Sequence, residues 1–226
     1  MRIIIYIFFA TYSVNSFAAP KIFFTTAVPY DNMCARGFKY SNQKTDSHQV
    51  KQSWIFELNA RLSEFQKIWD TDSPNLFKIL VTEFKKDFLR TEYTAALSAC
   101  ADAPSMPEPL VLNVSRYLTS YMPANKKPKD MSEFVDLPFH ELLHIWLDEN
   151  FKKTSPIKNK YKNEPITVVN HIHLFALQSL IYEKSNNAEL WKKVRQFYFK
   201  KGGGYQRAIE ILDKERRKTI LAELLP

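Results

Sequence analysis

The sequence predicts an α+β chain, with a small N-terminal sheet and a predominantly helical C-terminal half. Three observations carry this reading. Short runs rich in β-formers, Ile22-Phe23-Phe24 and Leu110-Val111-Leu112-Asn113-Val114, sit in the first half. Apolar residues recur at helical spacing over most of the second half. Strands that come first, followed by helices, give separated α and β regions rather than alternating βαβ units.

The N-terminus has to be set apart from the fold. Met1-Arg2 is a short basic start, Ile3 to Ala10 is an apolar run, and Ser16-Phe17-Ala18 places small residues one and three positions before a cleavage point. This is the layout of a secretory leader cut after Ala18. The leader then spans 1–18, and 19–226 forms one domain with no internal repeat. The chain is expected in the periplasm or outside the cell, with no membrane association once the leader is gone. The apolar run is too short for a comfortable permanent anchor, and no later segment has the length and purity of a span.

Formal charge falls from +8 to +7 when Arg2 leaves with the leader. The lysines lie in scattered pairs and triplets, such as Lys126-Lys127 and Lys192-Lys193, which is the pattern of solvated faces. No nucleic-acid-binding motif accompanies them, so no nucleic-acid partner is expected. Cys34 and Cys100 are the only cysteines. In an exported chain an even pair implies an intramolecular disulfide, and closing so long a loop contributes roughly 4 kcal/mol.

In chain order, residues 19–45 read as irregular or partly extended, with Ile22-Phe23-Phe24 as a first strand. Trp54, Leu58, Leu62, Phe65 and Trp69 predict an amphipathic helix from about 49 to 69. Ser73-Pro74 then predicts the start of a second helix running to about 85. Residues 88–122 read as strand-like, with a proline-studded loop before Leu110. A helix over 137–150 follows, with Asp136 as its cap. A lysine-rich loop runs to Asn163, and further helices are expected over 165–184, 187–200 and 205–223.

Four of the five histidines fall between 140 and 173. His140 and His144 stand four apart on the predicted helix, so their rings share one face and can reach one tetrahedral ion. Glu141 lies beside them, placed to take a proton from a water acidified by the metal. In a chain of this composition, His-Glu-x-x-His arises by chance about once in 200 sequences.

On His140-Glu141-Leu142-Leu143-His144, on a downstream helix with candidate third ligands and on the strand-then-helix order, the chain resembles the zincin metallopeptidases, in an exported bacterial branch. The resemblance implies a zincin-like fold, a Zn2+ cofactor held by His140, His144 and a third ligand, and a peptide or protein substrate. It implies hydrolysis of a peptide bond by a zinc-activated water with Glu141 as general base. It also implies that the strand at Leu110 to Val114 is the sheet edge that pairs with substrate.

Three residues compete for the third ligand. Glu164 has the Asn-Glu placement of one zincin group, but Pro165 puts it at the start of the helix. His173 points among Val169, Ala176, Leu177 and Leu180, where a core histidine sits. His171 shares a polar stripe with Thr167, Gln178 and Tyr182, and a metal cleft needs such a stripe, so His171 is favoured. Glu164 or Asp148 would alternatively orient a ligand ring. Three of the four glycines are consecutive, Gly202-Gly203-Gly204, which points to positive φ or a close backbone approach. The following Tyr205, or Arg207, is a candidate for holding the substrate oxyanion. Two other readings stay open: an exported zinc-binding protein without turnover, and a basic binding module with structural histidines.

Overall fold

The computed structural model describes residues 19–35, 50–101, 104–151 and 154–225, leaving aside the side chains of 33–35. Residues 1–18, where a leader is expected, lie outside the described residues, as does the side chain of Cys34. Cys100 is fully buried.

The chain opens with β1 (Lys21–Thr26), α1 (Val28–Ala35) and the long α2 (Gln52–Phe84), followed by β2 (Glu92–Ser98), β3 (Met106–Pro107) and β4 (Leu110–Asn113). Six helices complete it: α3 (Asp136–Asn150), α4 (Pro156–Lys160), α5 (Ile166–Lys184), α6 (Ala188–Lys201), α7 (Gly203–Glu215) and α8 (Arg217–Ala222). The α+β class and the small sheet are as expected.

The sheet has the order β1-β2-β4-β3. β1 and β2 pair in parallel with Ile22 opposite Tyr93, β2 and β4 in parallel with Ala96 opposite Val111, and β3 runs antiparallel to β4. Parallel neighbours need a crossover, and α2 supplies it between β1 and β2. β1 alternates as a half-covered strand must, with Ile22 and Phe24 buried while Phe23 faces out. The Phe24 ring meets Trp69 and Phe134, which ties the sheet to α2 and to the approach to α3.

Four local expectations need correcting. The segment at Leu110 to Val114 is not a sheet edge, because β4 lies between β2 and β3; the edges are β1 and the two-residue β3. The helix expected to break at Ser73-Pro74 runs straight through Pro74. An interior proline costs about 3 kcal/mol. Trp69, Ser73, Leu76, Phe77 and Leu80 keep one buried stripe in register across it, and the Trp69 and Phe77 rings meet at 5.7 Å. Several fully buried large side chains at about 1.5–3 kcal/mol each outweigh that cost. Within 19–45, Val28–Ala35 is helical, anchored by buried Asp31, which accepts from the Ser98 hydroxyl at 2.5 Å and from the Ala99 amide. Finally, Asp136 is not a cap: it lies inside α3, and its carboxylate is bound by α5.

α5 is the centre of the helical half. Every residue from His171 to Ser179 is buried, which is what a helix apolar nearly all round requires. It packs against α2, α3, α6, α7 and α8. This places its polar residues inside the protein, facing α3.

Candidate metal centre

His140 and His144 project from one face of α3, and His171 comes from the second turn of α5. Their ring centroids lie 5.1 Å apart for His140–His144, 5.2 Å for His140–His171 and 4.8 Å for His144–His171. One ligand nitrogen from each ring lies within 4.8 Å of the others. His140 and His171 are buried and His144 is half-buried. Three converging imidazoles can hold a metal ion.

Their hydrogen bonds fix which nitrogen is free. His171 Nδ1 lies 2.7 Å from the Thr167 carbonyl oxygen, which can only accept, so Nδ1 carries the proton and Nε2 keeps its lone pair. For His140 the argument has one more link. Gln178 donates from Nε2 to Asp136 at 2.9 Å, which turns its Oε1 toward His140 Nδ1 at 3.3 Å. Asp136 also accepts from the Tyr182 hydroxyl at 2.8 Å. His140 therefore carries its proton on Nδ1, and Nε2 is again left for a ligand bond. The Tyr198 ring stacks on His140 at 5.1 Å and 21°, with its hydroxyl 3.2 Å from the same Nδ1.

Burial keeps these rings neutral, as metal ligands must be. Burial first, then the His171 charge, pushes His144 down to about 3. Burial pushes His171 down to about 4, against the opposing Thr167 bond. His140 is held well below its ordinary value by burial and by the other two rings.

The polar stripe of α5 is real, but it faces α3 rather than solvent. Thr167 and Gln178 orient His171 and His140, and Tyr182 and Gln178 together hold Asp136. His173 does not join the cluster: it is fully buried, and its Nε2 lies 3.0 Å from Glu223 near the C-terminus. Glu164 is engaged by Arg207 at 2.8 and 2.9 Å, which removes both from the centre. Asp148 lines the outer part of the cavity and is exposed.

Glu141 is buried beside the triad, and its carboxylate accepts no hydrogen bond among the described residues. Burial raises it to about 8, with Lys201 opposing and Asp136 adding to the shift. It faces two adjoining cavities. The first, about 280 Å³, is bounded by His140, His144, His171 and Tyr205, and by Ser105 and Pro107 at the β3 edge.

Tyr205 reaches this cavity from the start of α7, edge-on to His171 at 4.7 Å and stacked on Tyr198 at 5.2 Å. The glycine run explains how. Gly202 and Gly203 have φ of 74° and 55°. A Cβ on Gly204 would come within 2.9 Å of Thr167 Cβ. Positive φ and close approach therefore both occur, and the approach is to the turn of α5 that orients His171.

Gln178, Asp136 and Tyr198 had no assigned part in the site at the level of sequence. Gln178 sits seven residues after His171 on one stripe, and that spacing was the available signal. Nothing in the sequence brings Tyr198 to His140. Comparison of the chain with protein-family models, with curated proteins and with solved structures finds no match to any of them.

Proposed function

We propose that this chain is an exported zinc-dependent metallopeptidase with a zincin-like arrangement. The observation that carries the reading is the convergence of His140, His144 and His171, with the nitrogens of His140 and His171 that face away from Gln178 and Thr167 left free. An all-imidazole donor set without thiolate suits zinc. The His-Glu-x-x-His spacing adds Glu141 at the same cavity.

His140, His144 and His171 would hold the zinc, and a bound zinc would supply Lewis acidity toward a peptide carbonyl and a water. Glu141 is placed to accept a proton at its carboxylate and return it to the leaving amine. Tyr205 is placed to donate its hydroxyl to the substrate oxygen that gains negative charge.

Export and the Cys34–Cys100 disulfide belong to the same proposal. They rest on the leader-like start and the even cysteine pair. No described helix is long and apolar enough to cross a membrane.

The test is elemental analysis of the mature protein, followed by mass spectrometry of a peptide library incubated with it. About one zinc per chain with defined cleavage products supports the reading. Zinc without cleavage leaves a zinc-binding protein, and absence of zinc after reconstitution leaves a binding module. Intact mass before and after reduction reads the disulfide.

A further inference from the structure

A second cavity, of about 340 Å³, shares Ser105, His140, Glu141 and Tyr205 with the first. Three cations line it: Arg116, Lys129 and Lys201. Lys129 is paired with Glu133 at 3.2 Å. Arg116 and Lys201 make no ion pair among the described residues. They are instead held over aromatic faces, Lys201 Nζ 4.0 Å from the Tyr205 ring centroid and Arg116 Cζ 5.4 Å from that of Phe197. An aromatic face positions a cation without neutralising it.

The two acids on the cavity wall offset these charges only in part. Asp136 is already engaged by Gln178 and Tyr182, and Glu141 acts on Lys201 without forming an ion pair with it. Two oriented cations without an ion pair in one concavity focus a positive field on whatever enters it.

We propose that this cavity is a substrate subsite for a carboxylate, held by Lys201 and Arg116 next to Glu141. The inference rests on the peptidase reading for the nature of the ligand. Lys201 reaches the centre through Tyr205, so a bound carboxylate lies within one side chain of the candidate catalytic groups. Burial, and the Arg116 charge beside it, depress the Lys201 ammonium. A bound carboxylate would relieve that repulsion. The carboxylate has two possible sources, the C-terminus of a peptide or an Asp or Glu side chain within it.

The experiment measures binding of three N-acetylated alanine peptides of equal length to zinc-loaded Glu141→Gln protein by calorimetry. One ends in a carboxamide, one in a free carboxylate, and one has a carboxamide end and an internal glutamate. The expected result is that a carboxylate-bearing peptide binds about fivefold or more tighter than the uncharged one. The preference disappears in a Lys201→Ala/Arg116→Ala double variant and shrinks at high salt. The peptide that gains identifies the source. Should the double variant lose its circular dichroism signature, Lys201→Gln alone serves, with a reduced preference expected. Equal behaviour of the three peptides, bound or unbound, overturns the inference, as does a preference that survives loss of both cations. Wild-type cleavage of uncharged and acidic peptides at equal rates overturns it too, leaving the peptidase reading standing. A carboxylate preference without any cleavage retains the subsite and removes the peptidase.

Discussion

His171 donates from Nδ1 to the Thr167 carbonyl oxygen 2.7 Å away, one turn earlier on its own helix. That bond commits the other nitrogen to the space shared with His140 and His144. His171→Ala is therefore expected to lose zinc as completely as His140→Ala and His144→Ala. His173→Ala and Glu164→Ala are expected to retain about one zinc per chain, because Glu223 and Arg207 hold those side chains elsewhere. Elemental analysis of the folded variants reads this. Zinc loss in His173→Ala with its fold intact would reassign the third ligand.

Glu141→Gln should keep the metal and lose hydrolysis. The amide has nearly the same volume, and no hydrogen bond to the carboxylate is broken among the described residues. General-base loss alone predicts a fall of about 10²–10⁴ in kcat. Cleavage at the wild-type rate would remove Glu141 from the chemistry.

Gln178 acts through His140 rather than on substrate. Its two ends connect Asp136 to His140 Nδ1, so Gln178→Ala removes the carboxamide that sets that ring and leaves the Asp136 carboxylate to the Tyr182 hydroxyl. Loss of such a support typically lowers metal affinity about 10–100-fold. Competition with a chromophoric chelator measures the affinity directly. Gln178→Glu, which can still accept from His140 but cannot donate to an ionised Asp136, should fall between wild type and Gln178→Ala.

The histidine triad could be read from sequence because two of its members share one helical turn and the third stands out on a polar stripe. The strand at Ile22 was legible from a run of β-formers, and the helix at 165–184 from its apolar spacing. What failed was long-range. Leu110 to Val114 has the composition of any short strand, and only pairing with both β2 and β3 places it inside the sheet. Ser73-Pro74 is a local start signal overruled by the burial of Trp69 and Phe77, which flank it on one helix, in the common core. Asp136 reads as a cap until α5 brings Gln178 and Tyr182 to it. The stripe containing His171 reads as solvent-facing until α3 covers it.

Gly204→Ala tests how the aromatic wall is held. The added methyl would sit 2.9 Å from Thr167 Cβ, close to the carbonyl that orients His171. α7 must shift to relieve it, carrying Tyr205 away from the centre. A loss of about 1–3 kcal/mol of stability is expected by denaturant unfolding. Hydrolysis should fall by more than the loss of folded protein accounts for. Thr167→Ser keeps Cβ but removes the Cγ2 methyl, which the added group would meet at 3.0 Å, and should restore part of both.

Metal-free protein should have a stability maximum near pH 6.5. His144, His171 and His173 have folded values of about 3, 4 and 4, all depressed mainly by burial. The unfolded chain, near 6.5, then binds more protons below that pH, so stability is lost as pH falls through this window. Glu141 and Asp136 have the opposite sign, raised by burial to about 8 and about 6. The folded state holds their protons longer, so their contribution weakens as pH rises toward those values. Below pH 6.5 the histidines outnumber the acids, and stability climbs with pH. Above it the remaining gain from the histidines partly offsets the loss at Glu141, and stability declines modestly toward pH 8. Thermal melts of chelator-treated protein should trace this peak, falling by about 1–2 °C on the alkaline side. Glu141→Gln should flatten that side and leave the acid limb in place. An alkaline decline that persists in Glu141→Gln would assign it to another group.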